Sequence, residues 1–423
     1  MKARRISRPP TFKSYWLGGF ESSCHISRRG ARLDMLAATQ HDRFVSEDYA
    51  RLEGVGIRTV RDTVRWHRVE PSPGRYDFSS VEPYLQAAAA HDVQVVWDLL
   101  HYGWPDGLDL FSADFPNRFA RYCGAVSRYL RSRSEEVPFF TPINELSFTA
   151  WAAAQVGWFH PFVQGRGGEA KRQLVRAWIA GVDAIREVDP RARIVSVEPL
   201  IHTIPPRGQP DIGGQAAAQR ASQWEAWDLL SGRREPELGG QPRYLDIVGV
   251  NFYHDNQWEV PGGKKLHWHI HPRDDRWVPL HRLLAEAYDR YRRPLLIGET
   301  SHVGVGRAAW LRELTDEVAL AAEAGVHLEG ICLYPILDRF EWTDSTHWHN
   351  SGLWDVVHEA DGTLRRVLNE EYAQELTRSQ ARLASIGCGV STGSDTWHPP
   401  EAEDFTPSAD DISRPESAVP NQP

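Results

Sequence analysis

The chain has 423 residues and 41% of them are hydrophobic, so it can bury a large core, either as one barrel domain or as two smaller domains. Its net charge of −9 argues against a nucleic-acid partner, because a phosphate-binding surface needs clustered Lys and Arg. The four cysteines are scattered without a CxxC pair, which argues against a zinc site or a disulfide scaffold and favours a reducing compartment; they are Cys24, Cys123, Cys332 and Cys388.

Apolar runs of strand length alternate with amphipathic stretches of helix length along most of the chain. The predicted strands are Trp16–Phe20, Ile57–Arg61, Gln94–Leu99, Phe139–Ile143, Arg193–Val197, Ile247–Phe252, Leu295–Gly298 and Gly330–Tyr334. Helical patterns cover Val81–His91, Asn117–Arg133, Arg172–Val188, Leu280–Tyr291 and Arg307–Ala324, and a closing helix is predicted over Arg366–Ala384. This alternation predicts an α/β fold, a (β/α)8 TIM barrel that spans residues 14–385 as a single domain.

The two ends of the chain have a different composition. Residues 1–13 are predicted to form a basic N-terminal arm, and residues 386–423, rich in Ser, Pro, Asp and Glu, a disordered acidic tail. A doubly wound open sheet is the competing architecture for the middle of the chain. It calls for a GxGxxG turn after the first strand, and Gly18-Gly-Phe-Glu-Ser22 lacks that spacing.

Two glutamate motifs stand at the ends of apolar runs, Thr141-Pro-Ile-Asn144-Glu145 and Pro294-Leu-Leu-Ile-Gly-Glu299-Thr. In a parallel barrel the carboxyl ends of the strands meet at one face, where active sites lie. A pair of carboxyl groups at that face is what glycoside hydrolysis requires, since one protonates the departing oxygen and the other attacks the anomeric carbon or activates a water.

Further polar residues are predicted at the same face. Arg61 is expected to end strand 2 and His101 to follow strand 3; Asn144 joins Glu145 at strand 4, Asn251 and Tyr253 end strand 6, and Glu299 ends strand 7. Each of them alone has an ordinary structural interpretation as a cap, an ion-pair partner or a hydrogen-bonded histidine. Their coincidence at one end of so many strands indicates a catalytic site.

Several segments together resemble the family 1 glycoside hydrolases, the β-glucosidase-like branch of the retaining barrel clan. Thr141–Glu145 is similar to the T-x-N-E-P motif, Leu99-Leu-His-Tyr-Gly-Trp-Pro105 to L-H-W-D-L-P, and Asp246-Ile-Val-Gly-Val-Asn-Phe-Tyr253 to D-F-x-G-x-N-Y-Y. Arg61-Asp-Thr-Val-Arg-Trp-His-Arg-Val-Glu-Pro71 resembles R-F-S-I-S-W-S-R-I-x-P. The most specific match is Leu337-Asp-Arg-Phe-Glu-Trp342, followed by Gly352-Leu-Trp-Asp-Val356, with L-L-D-N-F-E-W and F-G-L-x-x-V.

The resemblance implies roles for individual residues. Glu145 is the implied acid/base and Glu299 the implied nucleophile, while Glu341 and Trp342 bind hydroxyls of the nonreducing sugar and Tyr334 stands where a Trp platform is usual. Asn144 is placed to bond the sugar 2-OH. We expect Arg61 and Tyr253 to keep Glu299 ionised, and we expect burial and the neighbouring charge to raise the pKa of Glu145.

The chain also departs from the family pattern. Gly298-Glu-Thr-Ser301 replaces T-E-N-G, Leu146 replaces a Pro, and the Gln that follows strand 1 is not evident, which leaves Glu21 or His25 as its substitute. These changes bear chiefly on which sugar is bound.

The expected activity is that of a retaining β-glycosidase acting on a carbohydrate or glycoside, with no cofactor and no metal. The stretch His267-Trp-His-Ile-His271 would turn three imidazoles to one side of an extended segment; a polar loop over the cleft is the preferred interpretation and a metal site the alternative.

A transglycosidase using the same two glutamates and a noncatalytic glycan-binding barrel are the competing functions. Without a signal-peptide-like or bilayer-spanning segment, we expect a cytoplasmic protein with no membrane partner; the sequence leaves the oligomeric state open.

Overall fold

The structure is a computed structural model that describes residues 11–388. Within them, eight parallel strands close into a barrel in which each strand pairs with its neighbours in the chain. The strands are β1 (Trp16–Gly19), β2 (Thr59–Thr63), β3 (Gln94–Asp98), β4 (Phe139–Thr141), β5 (Arg193–Pro199), β6 (Ile247–Asn251), β7 (Leu295–Thr300) and β8 (Leu328–Leu333). Pairing of β1 with β8, Leu17 opposite Cys332, closes the ring. The predicted TIM barrel is confirmed.

A helix follows every strand and packs on the outside of the barrel. These helices are α1 (His41–Glu53), α2 (Glu82–Ala90), α3 (Asp114–Arg131), α4 (Gly167–Val188), α5 (Glu225–Ser231), α6 (Leu280–Tyr291), α7 (Arg307–Glu323) and α8 (Glu370–Ser385). Further helices lie in the connections, at Met35–Ala38, Trp66–Val69, Leu146–Ala150 and Gly213–Ala221, and one turn of π-helix covers Trp151–Gln155. None of the helices between residues 11 and 388 is long and apolar enough to cross a membrane.

The core has two parts, because each strand is covered on both faces. Inside the barrel, a small cluster contains Leu17, Val96, Val195 and Leu296, with Phe12 closing the end opposite to the site. Phe12 packs against Phe139 at 5.2 Å between ring centroids, so the packed part of the chain already includes residue 12. The larger cluster lies between the strands and the helices. Burial on both faces explains why the strands read as continuous apolar runs.

Small sheets extend the loops at the carboxyl ends of the strands. Phe340–Glu341 pairs with Asp344–Trp348, and Trp354–His358 pairs with Leu364–Leu368, both antiparallel. A two-stranded parallel sheet joins His202–Ile204 to Gln257–Glu259.

Two predicted boundaries were wrong. The closing helix begins at Glu370 and not at Arg366, because Arg366 lies in the hairpin strand, buried and bonded to both carboxylate oxygens of Asp48. Arg61 lies inside β2, two residues before its end. The predicted acidic tail falls outside the described residues except for residues 386–388, and so does most of the predicted N-terminal arm.

Candidate active site

A β-bulge in β7 brings Glu299 into the barrel. Leu296 faces the interior and Ile297 the outer layer, so simple alternation would turn Glu299 outward. Across the β6–β7 pairing, however, Val250 lies opposite Ile297 while Asn251 lies opposite Glu299, which leaves Gly298 as the extra residue. An extra residue in a strand re-aims the side chains that follow it. The Glu299 carboxyl consequently reaches the interior side chains of the neighbouring strands.

Gly298 also explains one departure from the family motif. A Cβ atom at this position would come within 2.7 Å of the Asn251 amide oxygen and within 2.8 Å of a Val197 methyl group. Glycine therefore lets the Asn251 amide stand directly beside the strand that carries Glu299.

Arg61 is the cation at the centre of the site. Its side chain is fully buried and donates from Nη1 to Glu299 Oε1 (3.1 Å) and to the Gly298 carbonyl (2.8 Å). From Nη2 it donates to Asp98 Oδ2 and to Asn144 Oδ1, each at 2.8 Å. One guanidinium thus holds residues from three other strands or their extensions, in a fork geometry that only Arg can supply.

Glu299 is held from two sides. Arg61 bonds one carboxylate oxygen, and the Tyr253 hydroxyl donates to the other at 2.8 Å. Burial and the charge of Glu145 raise the pKa of Glu299 to about 7, against the opposing effects of Arg61 and Tyr253. The predicted contacts of Arg61 and Tyr253 are present, but the pKa of Glu299 is not low, because two buried carboxyl groups compete for one negative charge.

Glu145 follows β4 in an unusual backbone conformation. Its φ of 43° and ψ of 64° are left-handed, at the residue that precedes the short helix Leu146–Ala150. The backbone here is bonded on both sides, since the Asn144 N–H donates to the Leu100 carbonyl after β3 and the Glu145 N–H donates to the Val197 carbonyl within β5. The left-handed turn directs the carboxyl into the cleft instead of along the helix.

The Glu145 carboxyl accepts two hydrogen bonds, from the Tyr102 hydroxyl to Oε2 (2.5 Å) and from the Asn251 amide to Oε1 (2.9 Å). Burial raises its pKa, as the sequence analysis predicted. Both glutamates therefore have raised pKa values. Only Glu299 contacts a guanidinium directly, so the pair's single negative charge is best stabilised on Glu299 and its proton on Glu145.

Asn144 and His101 form a second layer around Arg61. The Asn144 amide donates to His101 Nε2 (3.2 Å) and to the Tyr102 hydroxyl (3.1 Å). Since Nε2 accepts, His101 carries its proton on Nδ1 and donates it to Asp98 Oδ2 at 3.1 Å. The predicted site residues Arg61, His101 and Asn144 are thus in one hydrogen-bonded network.

Tyr334 directly follows β8 and lies next to β1 and His101. Its ring is parallel to that of His101, at 6.0 Å between centroids, and its hydroxyl accepts the Ser22 N–H at 3.1 Å. Gly19 permits this approach, because a Cβ atom there would lie 2.1 Å from the Tyr334 ring. The residue at the platform position is therefore matched to a glycine on the neighbouring strand.

Glu341 and Trp342 enter the site from the hairpin after β8. Glu341 accepts from His349 Nε2 (2.7 Å) and from the Trp342 N–H (3.0 Å). Burial is the largest single effect on the pKa of Glu341 and would raise it, but His349, Arg339 and the Trp342 N–H together outweigh burial and lower this pKa. The Trp342 ring meets His25 edge-on at 5.1 Å. His347 lies in the second strand of this hairpin, and His349 directly follows that strand.

Glu21 and His25, the two candidates for the glutamine expected after strand 1, differ in how many of their polar atoms are free to bind a ligand. Glu21 already accepts from the N–H and the hydroxyl of Ser23, at 3.1 and 2.5 Å, and lies 3.6 Å from Arg339. His25 is buried, and its Nδ1 atom has no hydrogen-bond partner within residues 11–388. Burial lowers the pKa of His25 to about 4, so the ring is neutral near pH 7.

Three residues of the site were not predicted. Tyr102 bonds Glu145, Asp98 bonds Arg61 and His101, and Glu198 accepts the Ser147 N–H beside Glu145. Burial raises the pKa of Glu198 to about 8. Asp98 and Glu198 lie at the ends of β3 and β5, so the strand-end rule that selected the other residues would have included them. Tyr102 lies inside the Leu99–Pro105 motif, which is the sequence signal that points to it.

The histidine-rich stretch 267–271 is not extended. It turns at residues 268–270, with Trp268 packed against Trp310 at 5.3 Å. In the part of the chain that the structure describes, no group of three or more His, Cys, Asp or Glu side chains is arranged to hold a metal ion.

No protein-family model matches the chain, and no curated protein matches its sequence. Solved structures do. A family 1 β-glucosidase from Thermotoga maritima is 17% identical with a TM-score of 0.69, over 89% of this chain and 98% of that one. The AHE enzyme from Alicyclobacillus herbarius is 16% identical with a TM-score of 0.69, over 89% and 99%. A mutant of a hyperthermophilic β-glucosidase is 14% identical with a TM-score of 0.69, over 87% and 100%.

These similarities define the class of fold, a (β/α)8 barrel matched over nearly the full length of each neighbour. More narrowly, the chain has the fold of the family 1 β-glucosidases, as its motifs predicted.

Proposed function

We propose that this protein is a retaining β-glycosidase that releases a terminal β-linked sugar, β-glucosidase-like, through a glycosyl-enzyme intermediate. One observation carries the proposal: Glu299, held by Arg61 and Tyr253, and Glu145, held by Tyr102 and Asn251, belong to one buried network at the carboxyl ends of the strands. A barrel that merely bound glycans would have no need for two buried carboxyl groups that share one charge. The β-glucosidase neighbours support the same class of reaction.

In the first step the Glu299 carboxylate attacks the anomeric carbon while Glu145 gives its proton to the departing glycosidic oxygen. The bond from the anomeric carbon to that oxygen breaks as the ester bond to Glu299 forms. Arg61 and Tyr253 hold the carboxylate in one orientation, which lowers the entropy cost of attack. The aglycone leaves as a neutral alcohol.

In the second step Glu145, now ionised, removes a proton from a water molecule that attacks the anomeric carbon. Glu299 departs as the carboxylate, and the configuration of the released sugar is that of the substrate. Loss of the Glu299 charge in the intermediate lowers the pKa of Glu145, which suits the base role.

The sugar-binding side of the cleft contains Glu341, Trp342, His101, Asn144 and Tyr334. His25 joins this set in preference to Glu21, because its Nδ1 is buried with no partner among the described residues, whereas Glu21 is engaged by Ser23. The indole N–H of Trp342 also lacks a partner in that part of the chain. Buried polar groups of this kind are costly unless a ligand satisfies them, and sugar hydroxyls do so.

An aromatic surface continues outward from Trp342. Trp158 lies 5.8 Å from it, and Phe148 connects to Trp151 at 5.7 Å. Trp151 is 46% exposed and Trp158 36% exposed, which is unusual for rings of this size. We assign this surface to the aglycone, whose apolar face would stack on the indoles.

The test is a panel of aryl β-glycosides assayed with the wild type, with Glu299→Gln and with Glu317→Gln as the matched control. Glu317 accepts a hydrogen bond from His281 between α6 and α7, outside the site. We expect cleavage by the wild type and the control, and loss of turnover in Glu299→Gln with the fold retained. Equal activity in all three proteins would reject the assignment.

Product analysis separates the related alternatives. A hydrolase gives free sugar as the main product in water, whereas a transglycosidase gives new glycosides in proportion to an added acceptor alcohol. A glycan-binding barrel gives neither product from any glycoside of the panel, although it binds one of them.

A further inference from the structure

Tyr102 occupies a strained backbone position next to the acid/base candidate. Its φ is 67°, in the left-handed region that residues with a side chain seldom adopt. Strain of this kind persists where the surrounding structure holds it, and it is concentrated at functional sites. In the Leu99–Pro105 segment Tyr102 directly follows His101, where the compared family motif has Trp.

Packing fixes the direction of the Tyr102 ring. The side chain is 4% exposed, and its ring contacts Phe148 at 5.2 Å and Trp342 at 5.6 Å, both edge-on. The hydroxyl is thereby aimed at Glu145, to which it donates at 2.5 Å. Burial and the charge of Glu145 raise the pKa of Tyr102 well above 10, so the hydroxyl remains a donor throughout the working pH range.

A chain of hydrogen bonds runs through Tyr102 from one glutamate to the other. Arg61 donates to Glu299 with one nitrogen and to the Asn144 oxygen with the other, and the Asn144 amide donates to the Tyr102 hydroxyl at 3.1 Å. The Tyr102 hydroxyl accepts this bond and donates the next, which a phenol can do at one oxygen and an indole cannot. Donation by Asn144 polarises the hydroxyl and strengthens its bond to Glu145.

We propose that Tyr102 is a positioning residue that orients the Glu145 carboxyl and stabilises its ionised form. Glu145, the acid in the first step, can then act as the base in the second step. The proposal rests on the proposed function of Glu145. A hydrogen bond to a carboxylate favours the charged form, so its loss makes Glu145 a weaker acid and leaves less of it ionised in the intermediate. Ring packing alone would have no such effect.

Other groups also face Glu145, and they set the background against which Tyr102 acts. The charged or titratable neighbours around it, from the surrounding strands and loops, are Arg61, Glu299, Glu198, Glu21 and Tyr253. A Tyr102→Phe variant leaves all of them in place and keeps the ring packing. The change in titration can then be attributed to one hydroxyl.

The experiment compares the pH dependence of kcat/KM on an aryl β-glucoside for the wild type, Tyr102→Phe and Tyr291→Phe. Tyr291 is the matched control, because its buried hydroxyl donates to Asp228 at 2.9 Å, between α5 and α6. The high-pH limb reports deprotonation of the acid. We expect this limb to move up by about one pH unit in Tyr102→Phe, the effect of one hydrogen bond to a charged group, and to stay in place in Tyr291→Phe.

An activity-independent readout separates this proposal from the proposed function. Carboxyl ¹³C NMR of glutamate-labelled protein, with Glu145→Gln used to assign the signal, follows the titration of Glu145 directly. A higher pKa of Glu145 in Tyr102→Phe supports the proposal even if the protein cleaves no glycoside. Absence of cleavage would refute only the proposed function. An unmoved limb in an active enzyme, or an unmoved NMR titration, overturns the role of Tyr102.

Discussion

Replacing Arg61 by Met would leave two buried carboxylates without the cation they share. Arg61 is fully buried, 2.8 Å from Asp98 and 3.1 Å from Glu299, and Met fills a similar volume without donors. Asp98 would keep its bond to His101, and Glu299 would keep its bond to Tyr253. Neither of these hydrogen bonds replaces the guanidinium, which is permanently charged.

The magnitude follows from burial. Removing one partner of a buried ion pair costs about 3–5 kcal/mol of unfolding free energy, because the remaining charge is desolvated and unpaired. Losing an adjacent cation raises a carboxyl pKa by about 1–3 units. Starting from about 7, the pKa of Glu299 would then exceed the neutral range, so at pH 7 only a small fraction of the nucleophile would be ionised.

The assay combines urea denaturation with the pH profile of kcat/KM. We expect Arg61→Met to be destabilised and its low-pH limb to move to higher pH, because the nucleophile must be ionised in the free enzyme. Arg118→Met is the control: Arg118 is a buried arginine on α3 that donates to Glu70 at 3.0 Å, so it should lose stability without moving the limb. Arg61→Met with an unmoved low-pH limb would refute the reasoning that Arg61 sets the ionisation of Glu299.

Three further predictions concern the acid/base Glu145, the sugar-binding residue Glu341, and the buried ion pairs of His41 with Asp48 and Asp62. Glu145→Ala should slow substrates with poor leaving groups far more than activated aryl glycosides, as measured by kcat/KM across a leaving-group series; equal losses would reject the acid role. Glu341→Ala should lower kcat/KM on a β-glucoside by roughly 10²-fold if two charge-assisted bonds to the sugar are lost, and much less on a 4-deoxy or 6-deoxy substrate; identical discrimination by both proteins would make Glu341 structural only. Asp62 and Asp48 overcome the effect of burial and raise the pKa of the buried His41 from 6.5 to about 9. The stabilisation is therefore complete below about pH 6.5 and is lost as the pH rises through 9, on the order of 3 kcal/mol in urea titrations. His41→Gln should lack this dependence, and an unchanged pH profile in that variant would contradict the assignment.

The barrel could be predicted because its signals are local. Strands buried on both faces read as apolar runs, and amphipathic helices separate them, so the predicted and observed strands differ by only a few residues. The closing helix was placed too early because Arg366 suits a helix by composition. Its buried ion pair with Asp48, 318 residues earlier in the chain, holds it in a hairpin instead.

The sequence predicted which residues group together at this site, but not the backbone geometry that brings them together. Strand-end position and motif selected Glu145, Glu299, Arg61 and Asn144, which the fold does bring together. No sequence pattern revealed that a bulge at Gly298 turns Glu299 inward, or that the backbone at Glu145 is left-handed. Both features depend on pairing with distant strands.

Of the two pKa expectations, the structure agrees with the one for Glu145 and not with the one for Glu299, again because of the fold. Burial raises the pKa of Glu145 as expected, but it also raises that of Glu299, since the depth of both groups is a property of the closed barrel.

Trapping of the glycosyl-enzyme tests the central claim most directly. A 2-deoxy-2-fluoro-β-glucoside with an activated leaving group should form an ester that turns over slowly, because fluorine destabilises the oxocarbenium-like transition state of the second step. Mass spectrometry of the digested protein should place one fluoroglycosyl group on Glu299, and none in Glu299→Gln. A labelled residue other than Glu299, or turnover of the parent glycoside with inversion at the anomeric carbon, would contradict a retaining mechanism with Glu299 as the nucleophile.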